Sequence, residues 1–271
     1  MPNFADRINK NTKGFIAYFL LLSLSLVGII TLQSQAFQKT RETLDKSIYL
    51  QQENSEEKKL QVFKKIPSLG FANLIADWLY LRFIQYFGDS QARETIGYRL
   101  SPNYFLQIAN RDPRFVDAML RLDTATSIFA GYPETSVKTL ETSINSIPKD
   151  QFQSPGLKPY YLTIYKGIDQ LLFLGKPQAA AQSYQQASEW AKQYNDEESK
   201  RIATNTARTA QFLARNPDSK VMQIGAWAMV LSNNSDSRTV KRALTAIQAL
   251  GGEIITNPDG SATVRVPLNI K

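Results

Sequence analysis

Histidine and cysteine are both absent from the 271 residues, so any chemistry in this chain must rest on carboxylates, lysine, arginine and tyrosine. Ser-His-Asp and Cys-His nucleophile arrangements are excluded, and zinc and haem lose their usual ligands. Carboxylates alone can do general acid–base work, as glycosidases show, yet no pair stands out at a suitable spacing. A hydrolase would have to draw on Asp77, Asp117 or Asp123. Gly251-Gly252 is followed by Glu253 with no Lys-Ser/Thr to complete a phosphate loop. The expectation is a non-enzymatic protein with no cofactor and no metal.

Recognition remains. The segment Leu69–Phe87 (LGFANLIADWLYLRFIQYF) is the most hydrophobic part of the chain beyond residue 33, and it carries Asp77, Trp78 and Arg82. Its even spread of apolar residues predicts a buried helix. Asp77 and Arg82 lie five apart, about 140° around a helix, so they cannot pair as i,i+4 neighbours do. Each needs a partner elsewhere or solvent. Both charges near the middle, at about 2.5–3.5 kcal/mol each on insertion scales, argue against a membrane span here. Tyr98, Tyr104, Arg111, Arg114 and Tyr132 flank helix ends nearby. With Asp77, Trp78 and Arg82 they are the expected partner-binding residues, and packing between helices is the alternative for the tyrosines.

A two-helix rhythm must position these residues. Asp112-Pro113-Arg114 opens a helix to about Ala130, Gly131-Tyr132-Pro133 breaks it, and a second helix runs over Glu134–Ser146. Pro159–Leu174, the turn Gly175-Lys176-Pro177 and Gln178–Tyr194 repeat that order 44 residues later. Helices follow over Asp196–Ala214, Asp218–Leu231 and Ser237–Leu250. Asn257-Pro258-Asp259-Gly260 between two β-branched runs then predicts a hairpin. A lone hairpin is marginal in water, so it should lie on the last helices.

The N-terminal side reads differently. Phe15–Leu32 (FIAYFLLLSLSLVGIITL) holds no charge over eighteen residues, about 27 Å of helix and close to a bilayer's hydrocarbon thickness. Ser23, Ser25 and Thr31 can return their hydroxyls to the backbone. Ser34-Gln35-Ala36 would suit a signal peptidase, so a retained anchor is weighed against a removed signal. Arg7, Lys10 and Lys13 lie tight against the run on its N-terminal side, and the expected orientation is a cytoplasmic N-terminus with the body in the periplasm or a lumen. Residues 37–65 read as a juxtamembrane helix, interrupted at Glu53–Glu57, then a second short helix. The body from about Ser34 onward carries a net charge of +6 (29 basic against 23 acidic residues), spread without a block of like charges; it suits a surface near anionic lipid or acidic partners, and does not argue for nucleic acid.

After Gly175, residues Ala180, Tyr184 and Ala187 place small, large and small side chains on one helix face. This resembles the second helix of tetratricopeptide repeats; Ser136, Leu140 and Ser143 after Gly131 are a degenerate version. The runs Gly70–Asp89, Asp112-Pro113-Arg114-Phe115 and Tyr165–Gly175 resemble bacterial, above all cyanobacterial, membrane-anchored proteins with tetratricopeptide-like bodies. The resemblance covers about residues 67–190 and implies a helical scaffold at the plasma or thylakoid membrane, with no catalytic residue to carry over. The expected architecture is all-α: an N-terminal tail (1–14), a transmembrane helix (15–33), a helical stalk (34–66), a stack of antiparallel helix pairs (67–252), and a C-terminal hairpin and tail (253–271). The expected role is to bind protein partners, for example in assembly or maintenance of a photosynthetic membrane complex. A lipid or small-molecule binder is the alternative.

Overall fold

The computed structural model describes residues 18–31, 45–147, 157–215, 218–232, 236–256 and 262–266. The chain divides into two compact units, Met1–Ile48 and Tyr49–Lys271. In the first, residues 18–31 form helix α1. Its large apolar side chains are exposed all round, from Tyr18 and Phe19 to Ile29 and Ile30. Ser25 and Thr31 donate their hydroxyls to the carbonyls of Leu21 and Val27, both at 2.9 Å, which removes the cost of an unpaired hydroxyl in an apolar helix. No helix among the described residues is long and apolar enough to cross a membrane. Phe15–Ala17 and Leu32, the ends of the expected span, lie outside the described residues. So do Arg7, Lys10, Lys13, the Ser34-Gln35-Ala36 site and the Asn257–Gly260 turn.

The body is all-α with packed antiparallel pairs. Its helices are α2 (Lys46–Lys65), α3 (Ala72–Gly88), α4 (Ser90–Ile96), α5 (Ser101–Arg111), α6 (Val116–Thr124), α7 (Pro133–Ser146), α8 (Tyr160–Ile168), α9 (Pro177–Ala191), α10 (Glu197–Arg215), α11 (Lys220–Ser232) and α12 (Ser237–Ala249). A two-stranded antiparallel sheet follows, β1 (Glu253–Thr256) and β2 (Ala262–Arg265), with Ile254 opposite Val264. Ile254, Val264 and Val266 pack on Ile224, Trp227, Ala243 and Ile247. The sheet therefore lies on α11 and α12 as expected.

Two differences from expectation stand out. The acidic run Glu53–Glu57 does not interrupt anything: α2 is one helix of 20 residues, and those carboxylates pair with Arg82 of α3, Arg93 of α4 and Arg99 of the α4–α5 connection. The expected buried helix Leu69–Phe87 is α3, and it is buried on one side only. Ala76, Leu79, Phe83 and Tyr86 face the core, while Leu74, Trp78, Leu81 and Ile84 are exposed. A helix apolar all round gives no sequence signal of which side is covered.

Both Gly-x-Pro turns have the same local cause. α6 and α8 each end in a π-helical turn, Ala125–Ala130 and Asp169–Phe173. Each is closed by a glycine in the left-handed region, Gly131 (φ 80) and Gly175 (φ 61). Proline then starts the returning helix at its first position, where no amide hydrogen is needed. In the second pair Ala180 and Ala187 are fully buried, and a Cβ on Gly167 would lie 3.1 Å from the Tyr184 ring. Helices α8 and α9 thus meet closely where the small–large–small pattern predicts.

At the first turn, Arg242 of α12 donates to the carbonyls of Ile128 (2.6 Å), Phe129 (3.1 Å) and Ala130 (3.2 Å). These are carbonyls that a helix end leaves unpaired. A Cβ at Gly131 would fall 2.5 Å from the Arg242 guanidinium carbon. Gly131→Ala is therefore expected to destabilise the body by about 2–3 kcal/mol through backbone strain and loss of these bonds, read by urea denaturation. Gly88→Ala is the control: its Cβ meets nothing within 4 Å, and the change should be neutral or slightly stabilising.

Candidate functional site: an apolar groove and the polar clusters beside it

The core that supports the site runs through Leu79, Leu100, Tyr104, Phe105, Ile108, Met119, Leu122, Leu140, Tyr160 and Leu162, all fully buried. On its outer side α3, α6 and α8 leave a groove of about 840 Å³. Tyr80, Phe83, Ile84 and Phe87 supply one wall, at helical spacing along α3. Asp117, Leu120, Arg121 and Thr124 line the other from one face of α6, and Ala125 and Phe129 of the π-helical turn form the floor. Leu157 and Tyr165 complete the rim. The walls are apolar apart from an Asp117–Arg121 pair at 3.4 Å, the phenols of Tyr80 and Tyr165, and the Thr124 hydroxyl, which donates to the Leu120 carbonyl at 3.1 Å. Burial raises the Tyr80 pKa, so its hydroxyl stays a neutral donor. Ile84 belongs both to the groove and to the exposed side of α3, so the groove opens onto that side, where Asp77 is also exposed.

The eight expected binding residues do not converge on this groove. Asp77 is exposed on α3. Trp78 is 41 % exposed, stacked on Phe63 at 4.5 Å with Arg82 over its ring. Arg82 and Tyr104 meet instead on Glu56: Arg82 Nε lies 3.2 Å from one carboxylate oxygen and Nη2 bonds the other, while the Tyr104 hydroxyl donates at 2.6 Å. Tyr98 packs between Phe87 and Phe129, and burial pushes its pKa up to about 12. Arg111 donates to the carbonyls of Phe63 and Ile66 at the end of α2. Arg114 is exposed with its Nε 4.0 Å from Asp112, and Tyr132 is exposed beside Gly131. Tyr98 and Tyr104 take the packing alternative. Sequence reasoning missed the groove itself, whose two walls come from helices separated by 27 residues.

It also missed two buried polar clusters. Glu53, 4 % exposed, accepts from Tyr86 at 3.1 Å, Arg93 at 3.3 Å and Arg99 at 3.1 Å. Arg93 also donates to the Gly97 carbonyl at 2.5 Å and lies 3.7 Å over the Tyr86 ring. A cleft of about 210 Å³ opens over these groups and Glu56, but their charges are already spent on one another.

The second cluster joins the two π-helical turns. Asp123 and Asp169 are both buried, and each feels the other as a close neighbour. Ser136 donates to Asp123 and Ser127 to Asp169. Burial raises the Asp123 pKa to about 6. Asp169 is raised well above the usual carboxylate range, by burial and then by the neighbouring Asp123 charge. Two neighbouring buried carboxyls resist ionising together, so the pair holds on to a proton at higher pH than a free carboxyl does. Neither reaches the groove lining. Asp77, Asp117 and Asp123, the three hydrolase candidates, are thus scattered over an exposed helix face, a rim ion pair and a closed interior. Among the described residues no group of three or more potential metal-ligating side chains occurs.

No family model, curated protein or solved structure matches the chain. The functional reading therefore rests on the groove and its surroundings. Tyr80 on α3 and Phe115 beside α6 meet edge to face at 5.2 Å, which holds the two walls in register without filling the space between them.

Proposed function

We propose that this protein is a membrane-tethered, non-enzymatic helical scaffold that takes an apolar helical segment of a protein partner into the groove between α3, α6 and α8. The observation that carries the reading is the opening of that groove onto the exposed Leu74–Trp78–Leu81–Ile84 side of α3. An elongated apolar surface between helices suits a partner helix laying its own apolar face along it, and an exposed contiguous apolar area on a folded body marks an interaction site. The Asp117–Arg121 pair would sit at the edge and set orientation.

The tether is α1, whose uncharged, all-round exposed side chains and self-satisfied hydroxyls suit a lipid environment. The orientation follows the basic N-terminal flank: N-terminus cytoplasmic, body in periplasm or lumen. The tetratricopeptide-like reading is supported by the Gly167–Tyr184 contact and the repeated π-turn, glycine, proline order. A photosynthetic complex as the partner rests on the cyanobacterial resemblance alone.

Gly88 offers a direct test, because it lines the groove and has open space where a side chain would project. Gly88→Trp should leave the fold intact and abolish crosslinking, in native membranes, of a partner captured by the wild type. Unchanged capture would sink the reading. The same groove also favours a second occupant, a lipid or other amphipathic small molecule, since about 840 Å³ of apolar space ends at Arg121 and two phenols. Lipid released from the purified wild type and absent from Gly88→Trp, with protein capture unaffected, would select it.

A further inference from the structure

Between Glu57 and Asp77 the chain has four lysines and no carboxylate (KKLQVFKKIPSLGFANLIA). The structure folds this stretch into the end of α2, a tight turn and the start of α3. In the turn the Phe71 amide donates to the Ser68 carbonyl at 2.7 Å, and both central residues lie in the left-handed region, Leu69 at φ 47 and Gly70 at φ 88. That geometry favours Asn-Gly. Leucine occupies the strained position instead, and its side chain is 82 % exposed. Packing gives no reason for a leucine there.

Its surroundings do. Val62, Ile66, Phe71 and Leu74 are exposed at the same end of the α2–α3 hairpin, and Lys64 and Lys65 are exposed in the last turn of α2. The base beneath them is stiff, because Phe63 stacks on Trp78 and Arg111 bonds the carbonyls of Phe63 and Ile66. An apolar tip is thus presented from a rigid support, with Lys64 and Lys65 in the adjoining helical turn and no carboxylate in the chain between Glu57 and Asp77. That charge pattern selects the occupant. Leucine and phenylalanine at a tip, with lysines beside them, match the boundary between acyl chains and anionic headgroups.

We infer that the α2–α3 turn is a second membrane contact, inserting Leu69 and Phe71 into the headgroup boundary of an anionic bilayer while Lys64 and Lys65 meet the phosphates. This goes beyond the tether and does not depend on the groove.

The chain has no cysteine, so single-cysteine variants of the full-length protein carry unique labels. Leu69→Cys, Ser23→Cys and Gln248→Cys, each bearing an environment-sensitive fluorophore, are reconstituted into phosphatidylcholine vesicles with and without 30 % phosphatidylserine, containing a spin-labelled quencher lipid. The expected result is several-fold stronger quenching at position 69 than at 248 in the anionic vesicles. It should fall toward the level at 248 in Lys64→Gln/Lys65→Gln and in vesicles without phosphatidylserine. Quenching at 23 but not at 69 overturns the inference and leaves the tether standing; quenching at 69 but not at 23 does the reverse. Equal quenching at 69 with and without phosphatidylserine overturns the anionic-lipid assignment. Shielding of the label that tracks protein concentration in lipid-free detergent makes the tip a contact between copies, and shielding seen only in native membranes makes it a protein site; both overturn the inference.

Discussion

Replacing Glu53 by alanine is expected to destabilise the body by about 3–5 kcal/mol, the scale for removing one partner of a buried ion pair. The carboxylate is 4 % exposed and joins Tyr86, Arg93 and Arg99 from three different segments to α2. Without it, Arg93 keeps its charge in an interior where the Gly97 carbonyl and the Tyr86 ring are the contacts left. Glu53→Gln retains acceptor capacity but not charge, and should fall between wild type and Glu53→Ala. Lys200→Ala, which breaks an exposed pair with Glu197 at 2.8 Å, should leave stability essentially unchanged. Urea denaturation followed by circular dichroism orders the three. Equal effects for Glu53→Ala and Lys200→Ala would show that α2 does not depend on this cluster.

Asp169→Asn is expected to act in the opposite direction and to depend on pH. Asparagine mimics the protonated acid: its carbonyl can accept from Ser127 and its neutral amide adds no charge beside Asp123. The wild-type carboxyls have folded pKa values above their unfolded ones. Their stabilising contribution is therefore complete below about pH 4 and is lost as pH rises through the folded values, past about 6 for Asp123. Removing one ionisable group should raise stability at pH 8 by about 1–3 kcal/mol, at about 2–4 °C in Tm per kcal/mol for a body of this size. The difference should vanish at pH 4. Glu56 runs the other way. Burial opposes its ionisation, but the Tyr104 and Arg82 hydrogen bonds prevail and hold its pKa below the usual range. Its contribution is present above about pH 4.5 and is lost as pH falls through the folded value. Thermal melts of wild type and Asp169→Asn across pH 4–8 test the pair; a gain that persists undiminished at pH 4 would mean the aspartates do not hold on to a proton.

What could be read from the sequence was local chemistry. Gly131-Tyr132-Pro133 and Gly175-Lys176-Pro177 announce their turns because only glycine takes the left-handed closure cheaply and proline suits a helix start. The hairpin likewise follows from its turn residues and β-branched flanks. Partnership across the chain was not legible. Glu53 and Glu56 look like solvated charges until Arg93, Arg99, Arg82 and Tyr104, some 26 to 48 residues later, fold against them. Asp169 gave one usable signal, a carboxylate among the apolar residues of Tyr165–Gly175, but nothing local pairs it with Asp123. The groove had no signal, since an evenly apolar helix such as α3 does not say which of its sides stays open.

The last helix fastens the fold to parts made long before it. Arg242 holds the π-helical turn at Ile128–Ala130, and Arg238 donates to the carbonyls of Glu94 (3.4 Å) and Thr95 (2.6 Å), more than 110 and 140 residues upstream respectively. A ribosome synthesises from the N-terminus, and contacts that distant in sequence form late and slowly. The groove floor therefore stays unlatched until α12, more than 110 residues downstream of it, has been made and has docked.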